Sequence, residues 1–292
     1  MQRLPIIGQS TAPAAVEAVL RAAFGAAGSE LQLERWERRP HLLAQAIEQV
    51  AATPEIGGAL IVAPFKERAA GALSLLSPDA KTTGAVNLIR RDGDRLRGHN
   101  TDVDGIRAGM QALLPRARGQ WPRTAVVLGA GGGARACVAV LIGLGLQHVA
   151  VFNRHLHRAE ALVAHFARSA RQMELRARPW HESVLEAELS KAGLLVNASG
   201  IGVEEGESAV AAGLVPDGLV LLDLVLDHAA TPLMREVAAR GGSVANGQAS
   251  FLASSAATFT LLTGQAPPVG VMKRALASEL GLPEDHVAVV GD

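Results

Sequence analysis

Apolar and polar positions change rhythm repeatedly along this chain of 292 residues, and the changes mark out its elements. Leu4 to Gly8, Leu31 to Trp36 and Ala59 to Ala63 have the length and content of strands. Between them, Ala14 to Ala27 and Leu42 to Ala52 read as helices. That alternation predicts βαβ units. After Pro64 come a polar turn, the run Gly84 to Ile89, the hairpin-like Arg91-Asp92-Gly93-Asp94, and Leu96 to Asn100. Thr101 to Leu114 then predicts a helix capped by Thr101, with Asp102 in its first turn.

The second half begins with a strand at Thr124, whose apolar end Val126-Val127-Leu128 runs into Gly129-Ala130-Gly131-Gly132-Gly133-Ala134 and a helix to about Leu144. The loop reads G-x-G-x-x-A. Its first glycine permits a tight turn, the second lets backbone amides approach a pyrophosphate, and Ala134 lets the helix sit close to the sheet. The helix N-terminus then faces the anion. The next strand, His148 to Phe152, ends where an NAD site usually places a carboxylate for the ribose 2'-hydroxyl. Here the chain supplies Asn153-Arg154-His155-Leu156-His157-Arg158. Two guanidinium groups four positions apart suit a dianionic 2'-phosphate, so the expected cofactor is NADP. The bland reading of Arg154 and Arg158 is solvation of a helix start, and it leaves the nucleotide loop in place.

Strands at Leu194 to Ala198 and Leu219 to Leu224 continue this lobe, and apolar helices follow at Gly247 to Leu262 and Val271 to Leu280. The economical topology is α/β and two-lobed. An N-terminal α/β substrate lobe, residues 1–104, is completed by helices within 245–292, and a Rossmann-type lobe occupies 105–244. A cleft between lobes is the expected place for chemistry.

Composition narrows the function classes. Hydrophobic residues make up 49% and charged residues 19%, enough for a sizeable core and unlike a disordered chain. Formal net charge is zero, and no basic block or aromatic platform suggests nucleic acid. The N-terminal apolar stretch is too short for a secretory signal and no segment is long enough for a membrane span, so the expected location is the cytoplasm. Cys137 is the single cysteine and the nine histidines form no ligand pattern, so no metal is expected. Whether the chain is a monomer or a homodimer is open.

The only lysines are Lys66, Lys81, Lys191 and Lys273. Lys66 follows an apolar run in Ile61-Val62-Ala63-Pro64-Phe65-Lys66, and Asp102 stands at a helix start in Gly98-His99-Asn100-Thr101-Asp102. Alone, each reads as a solvated cation and a capping acid. Beside a nicotinamide site, together they suggest alcohol oxidation. A carbinol losing hydride must also lose its hydroxyl proton, which calls for a proton acceptor or relay and for a cation to stabilise alkoxide charge.

The ordered set PFK, GAVN, G-x-NTD, GAGGGARA, NR-x-x-x-R, VNASGIG, Asp223 to Leu233 and Gly247 to Gly264 resembles the shikimate/quinate dehydrogenase family over nearly the whole chain. The resemblance implies reversible reduction of 3-dehydroshikimate, a small cyclic hydroxy acid, with NADPH. It implies Lys66 and Asp102 as the catalytic pair, Asn87 and Asn100 as substrate-contacting amides, and Ser10 as a carboxylate-binding hydroxyl. Ser199, Leu224 and Gly247 border the cofactor on the same ground. Four positions depart from the family pattern. Ala12 stands in place of a serine, Val62 of a threonine, Leu226 of a tyrosine, and Ser254 of a glutamine that reaches substrate. A site that loses hydroxyl-binding groups changes its preferred ligand. The expectation is weak shikimate turnover or a less polar cyclic hydroxy acid. Two other classes fit less of the chain: a non-catalytic NADP-binding regulator with a decayed pocket, and a methyltransferase, for which Arg154 and Arg158 have no use.

Overall fold

The structure is a computed structural model that describes residues 2–9, 14–113 and 121–287. The chain divides into two compact units. Of the described residues, one holds those up to 104 together with 252–287, and the other holds 105–251.

The first unit opens with β1 (Gln2–Gly8), α1 (Ala14–Ala26), β2 (Leu31–Glu37), α2 (Leu43–Ala52) and β3 (Gly58–Ile61). Then follow α3 (Lys66–Ala72), β4 (Leu75–Leu76), α4 (Pro78–Thr83), β5 (Leu88–Asp92), β6 (Arg95–His99) and α5 (Asp102–Leu113), which runs into the second unit. Its sheet has the order β2-β1-β3-β5-β6-β4. β1 pairs parallel with β2 and β3, whereas β5 is antiparallel to both β3 and β6. The hairpin expected at Arg91 to Asp94 is the β5–β6 turn, where Gly93 takes a φ of 61°.

Two helices replace what the sequence suggested was a turn. α4 is specified locally: Ser77 accepts from the Ala80 amide, Pro78 occupies the first turn, and Gly84 closes the helix with a φ of 60°. α3 has no side-chain cap. Its start is held by Phe65, fully buried with Ile7, Ile61 and Val86, and burying such a ring is worth ~2 to 3 kcal/mol. That anchor fixes the backbone from which Lys66 projects.

The second unit contains β7 (Thr124–Leu128), α6 (Gly132–Gly143), β8 (His148–Asn153), α7 (Leu156–Phe166), β9 (Glu174–Pro179) and α8 (Glu182–Leu189). It continues through β10 (Leu194–Asn197), β11 (Val220–Asp223), α9 (Pro232–Ala239) and β12 (Ser243–Ala245) to the first turns of α10 (Gly247–Thr263). The rest of α10 and α11 (Val269–Leu280) belong to the first unit. The sheet order is β12-β11-β10-β7-β8-β9, and every pair is parallel. Strand order reverses between β7 and β10. In open α/β sheets, ligands bind beyond the carboxyl ends of the strands at such a reversal. The loops at that edge begin at Gly129, Ala198 and Leu224.

The first turns of α10 are part of this second unit. A Cβ on Gly247 would overlap the Leu224 carbonyl, and the Gly247 amide donates to the Val225 carbonyl at 3.1 Å. The division therefore falls inside one continuous helix, between Phe251 and Leu252.

Candidate active site

In the first unit, residues from α3, the end of β6 and α10 share one polar cluster. Lys66 Nζ donates to Asp102 Oδ2 at 2.6 Å, with side-chain exposures of 21% and 18%. Asp102 begins α5, where the helix dipole favours a carboxylate, whereas Lys66 begins α3, where it disfavours an ammonium. The partner carboxylate offsets that penalty. Asn87 Nδ2 donates to the other carboxylate oxygen of Asp102 at 3.0 Å and to Thr101 Oγ1 at 2.8 Å, and Asn87 Oδ1 accepts from the Thr101 amide at 2.9 Å. Both ends of the Asn87 amide are thereby oriented. His99, one step upstream of this run, is held below the usual histidine range by burial and by Arg90 and Arg97, so its imidazole is neutral at pH 7.

Asn100 is not available to a ligand as arranged here. It is 3% exposed, its amide donates to Thr83 Oγ1 at 3.0 Å and the Ala85 carbonyl at 2.9 Å, and its oxygen accepts from the Asp102 amide at 3.1 Å. The expected substrate amide is an internal brace that caps the start of α5. Thr101, expected as that cap, instead turns into the cluster, bonded to Ser254 Oγ and Thr258 Oγ1 at 3.0 Å each. Ser254 is half-buried and its hydroxyl is engaged with Thr101. Ser10 lies outside the described residues.

In the second unit, Gly129 has a φ of 109°, and a Cβ there would overlap the Ala198 carbonyl oxygen. Glycine is required at this position for close approach to the loop after β10 as well as for the turn. Ala130 and Ala134 are buried, and Gly131 caps α6 without a side-chain acceptor, leaving its first-turn amides for an anion. Gly133 faces Leu224, whose Cδ1 would lie 3.8 Å from an added Cβ. Asn153 Oδ1 accepts from the His155 amide at 3.0 Å, shaping the turn into α7. Arg154 and Arg158 are both exposed beside that turn. Ser199 Oγ donates to Asn197 Oδ1 at 2.6 Å and accepts from the Ile201 amide at 3.1 Å. Gly132 is the first residue of α6 and Gly247 that of α10. Among the described residues, no group of acids, histidines or cysteines is placed to hold a metal, and no helix is long and apolar enough to cross a membrane.

Residues 6–89 match the model of the shikimate dehydrogenase substrate binding domain. The chain is 34% identical over 281 residues to the shikimate dehydrogenase (NADP(+)) of Symbiobacterium thermophilum, covering 95% of this chain and 94% of that protein. The chain belongs to the shikimate dehydrogenase family. Among solved structures, shikimate 5-dehydrogenase from Thermus thermophilus in complex with NADP(H) and shikimate superposes with a TM-score of 0.76 at 32% identity, over 96% of this chain and 100% of that one. Quinate dehydrogenase from Corynebacterium glutamicum in complex with NAD gives 0.81 at 25% identity, over 95% and 99%.

Within this family member, sequence reasoning missed two groups of residues. Thr258 is a buried hydroxyl that meets Thr101 across 157 positions, and no local pattern marks it or the pairing. Asn197, Asp223 and Thr231 form a second buried knot. Its members fall within VNASGIG and the run Asp223 to Leu233, which marked the family resemblance without showing that the three side chains meet.

Proposed function

We propose that the chain catalyses reversible hydride transfer between NADP(H) and a carbinol carbon of a cyclic hydroxy acid of the shikimate class. The observation that carries the reading is the 2.6 Å pair of Lys66 and Asp102, braced by Asn87. The glycine loop, the uncapped start of α6 and the exposed Arg154 and Arg158 suit a phosphorylated dinucleotide. The nicotinamide supplies or accepts the hydride. Lys66 and Asp102 act on the hydroxyl: the pair takes up its proton as the carbonyl forms, and the ammonium stabilises oxyanion charge. Asn87 holds the carboxylate in place and keeps it from rotating away from Lys66.

The substrate side is less polar than the family pattern. Val62 and Leu226 offer no hydroxyl, and Ser254 is bonded to Thr101. We therefore place shikimate below less hydroxylated analogues in kcat/KM. The test is NADP+ reduction by the full chain against shikimate, quinate and their amino and deoxy analogues, with Lys66→Met as control. Turnover of the best substrate should fall at least ~10^2-fold in the variant while NADP+ affinity holds. Near-normal turnover of Lys66→Met would retire the assignment. Cofactor binding with no turnover of any analogue would favour a regulatory NADP-binding protein instead.

A further inference from the structure

Asp223 ends β11 with no exposed surface, and the groups acting on it are hydrogen-bond donors only. Its Oδ1 accepts from Asn197 Nδ2 at 2.9 Å and the Val225 amide at 3.2 Å, and its Oδ2 accepts from Thr231 Oγ1 at 2.8 Å. Burial pushes the carboxyl pKa up, against the lowering effect of these donors. Burying a carboxylate without a cation is costly, and an apolar side chain would serve the packing of β11 better. Something else calls for an acceptor here.

A carboxylate can only accept, so together with the Ile201 carbonyl it fixes which way the Asn197 amide points. With Nδ2 turned to Asp223 and to the Ile201 carbonyl at 2.9 Å, Asn197 Oδ1 is left to receive the Ser199 amide at 3.2 Å and the Ser199 hydroxyl at 2.6 Å. The Leu224 amide in turn donates to the Asn197 carbonyl at 2.9 Å, and Ala198 is the residue against which Gly129 packs. Thr231 closes the ring by capping α9 through the Met234 amide at 3.2 Å. One carboxylate therefore sets the loop after β10, the loop after β11 and the start of α9.

We propose that Asp223 is a positioning residue for the cofactor, acting through Asn197 to hold Ser199, Leu224 and the glycine turn in the arrangement that receives the nicotinamide half of NADP. The inference rests on the NADP reading above. Asp223→Ala removes one of the two acceptors of the Asn197 amide and the only acceptor shown for the Val225 amide and the Thr231 hydroxyl, which loosens Asn197, Ser199 and the loop after β11. Its Kd for NADP+, titrated on the full chain, should rise at least ~10-fold, about 1.4 kcal/mol. KM for NADP+ should rise likewise, with KM for the cyclic acid unchanged. Asp223→Asn keeps the pattern, because its oxygen still accepts from Asn197 and Val225 while its amide donates to Thr231 Oγ1, and should stay within ~3-fold of wild type. A merely structural role would lower the melting temperature of Asp223→Ala and leave the affinity of the folded fraction alone. Should Asp223→Ala not fold, Asn197→Ala cuts the same relay and should show the same loss. Wild-type affinity in either variant overturns the proposal. Failure of the wild-type chain itself to bind NADP+ would overturn the cofactor reading instead.

Discussion

Replacing Asp102 by asparagine separates the chemical role of the Lys66/Asp102 pair from its structural one. Asp102 accepts from two donors, Lys66 Nζ at 2.6 Å and Asn87 Nδ2 at 3.0 Å, one on each oxygen. An amide has one acceptor, so a donor must face a donor on one side. Asn87 is oriented by Thr101, whereas the Lys66 side chain is 21% exposed and can turn to water. The new amide should keep its oxygen toward Asn87 and surrender Lys66. For a partly exposed pair the stability cost is ~1 kcal/mol or less, a shift of a few degrees in melting temperature. The catalytic cost is of another order. Removing one member of the proposed proton-handling pair should lower kcat by ~10^2 to 10^4, equivalent to ~3 to 5 kcal/mol in the transition state. Steady-state kinetics with the best substrate, thermal melts and NADP+ titration read the three quantities separately. Because the two groups act as a unit, the double variant with Lys66→Met should be within ~3-fold of the worse single variant. A kcat within ~10-fold of wild type, multiplicative losses in the double variant, or a fall in NADP+ affinity matching the fall in kcat would refute the reasoning.

Three other variants test the second unit. Removing Arg154 and Arg158 together should raise Kd for NADP+ at least ~10-fold and leave Kd for NAD+ nearly unchanged, since only the 2'-phosphate is lost from recognition. Equal losses for both cofactors would refute that role. Gly129→Ala places a methyl group at a φ of 109° and against the Ala198 carbonyl oxygen. It should cost at least ~2 kcal/mol in chemical denaturation and weaken NADP+ binding, and a neutral result would show that the two loops are not in contact. Asp223→Asn tests pH linkage. Burial raises this carboxyl's pKa, so the folded chain binds the proton more tightly than the unfolded one. Wild-type stability should therefore gain on the variant as pH falls through the folded pKa, and the gain should be complete below the ordinary value of 3.8. Melting curves of the two proteins that stay parallel across that window would refute the raised pKa.

Elements defined by short-range rules were legible. The β5–β6 hairpin, the strand, glycine turn and helix from Thr124 to Gly143, and the strands at Leu194 and Val220 follow from backbone sterics and periodicity over short stretches of chain. β9 was not legible, because on this edge strand only Leu175 and Ala177 stand between the charged Glu174, Arg176 and Arg178, too few apolar positions to mark a strand. α3 was missed because its seven residues are too few for a repeat, and it is held by the burial of Phe65. α4 carried readable caps in Ser77, Pro78 and Gly84 that the polar composition of the stretch obscured.

By itself the sequence determined which residue types are present: a dinucleotide turn opened by a glycine, Gly129, that has no substitute, an arginine pair where an acid would otherwise stand, and a lysine and an aspartate at the starts of two elements. Only the tertiary structure decided which polar atoms meet. Lys66 and Asp102 are 36 positions apart, and Thr101 reaches Ser254 and Thr258 across 153 and 157. Strand register and helix packing choose such partners, and the same choice turned Asn100 inward and tied two loops and the start of α9 to Asp223. The physical reason is range. Dihedral preference and periodicity act over one or two turns of chain, whereas a buried hydrogen bond is selected by whichever distant donor the packing brings within about 3 Å.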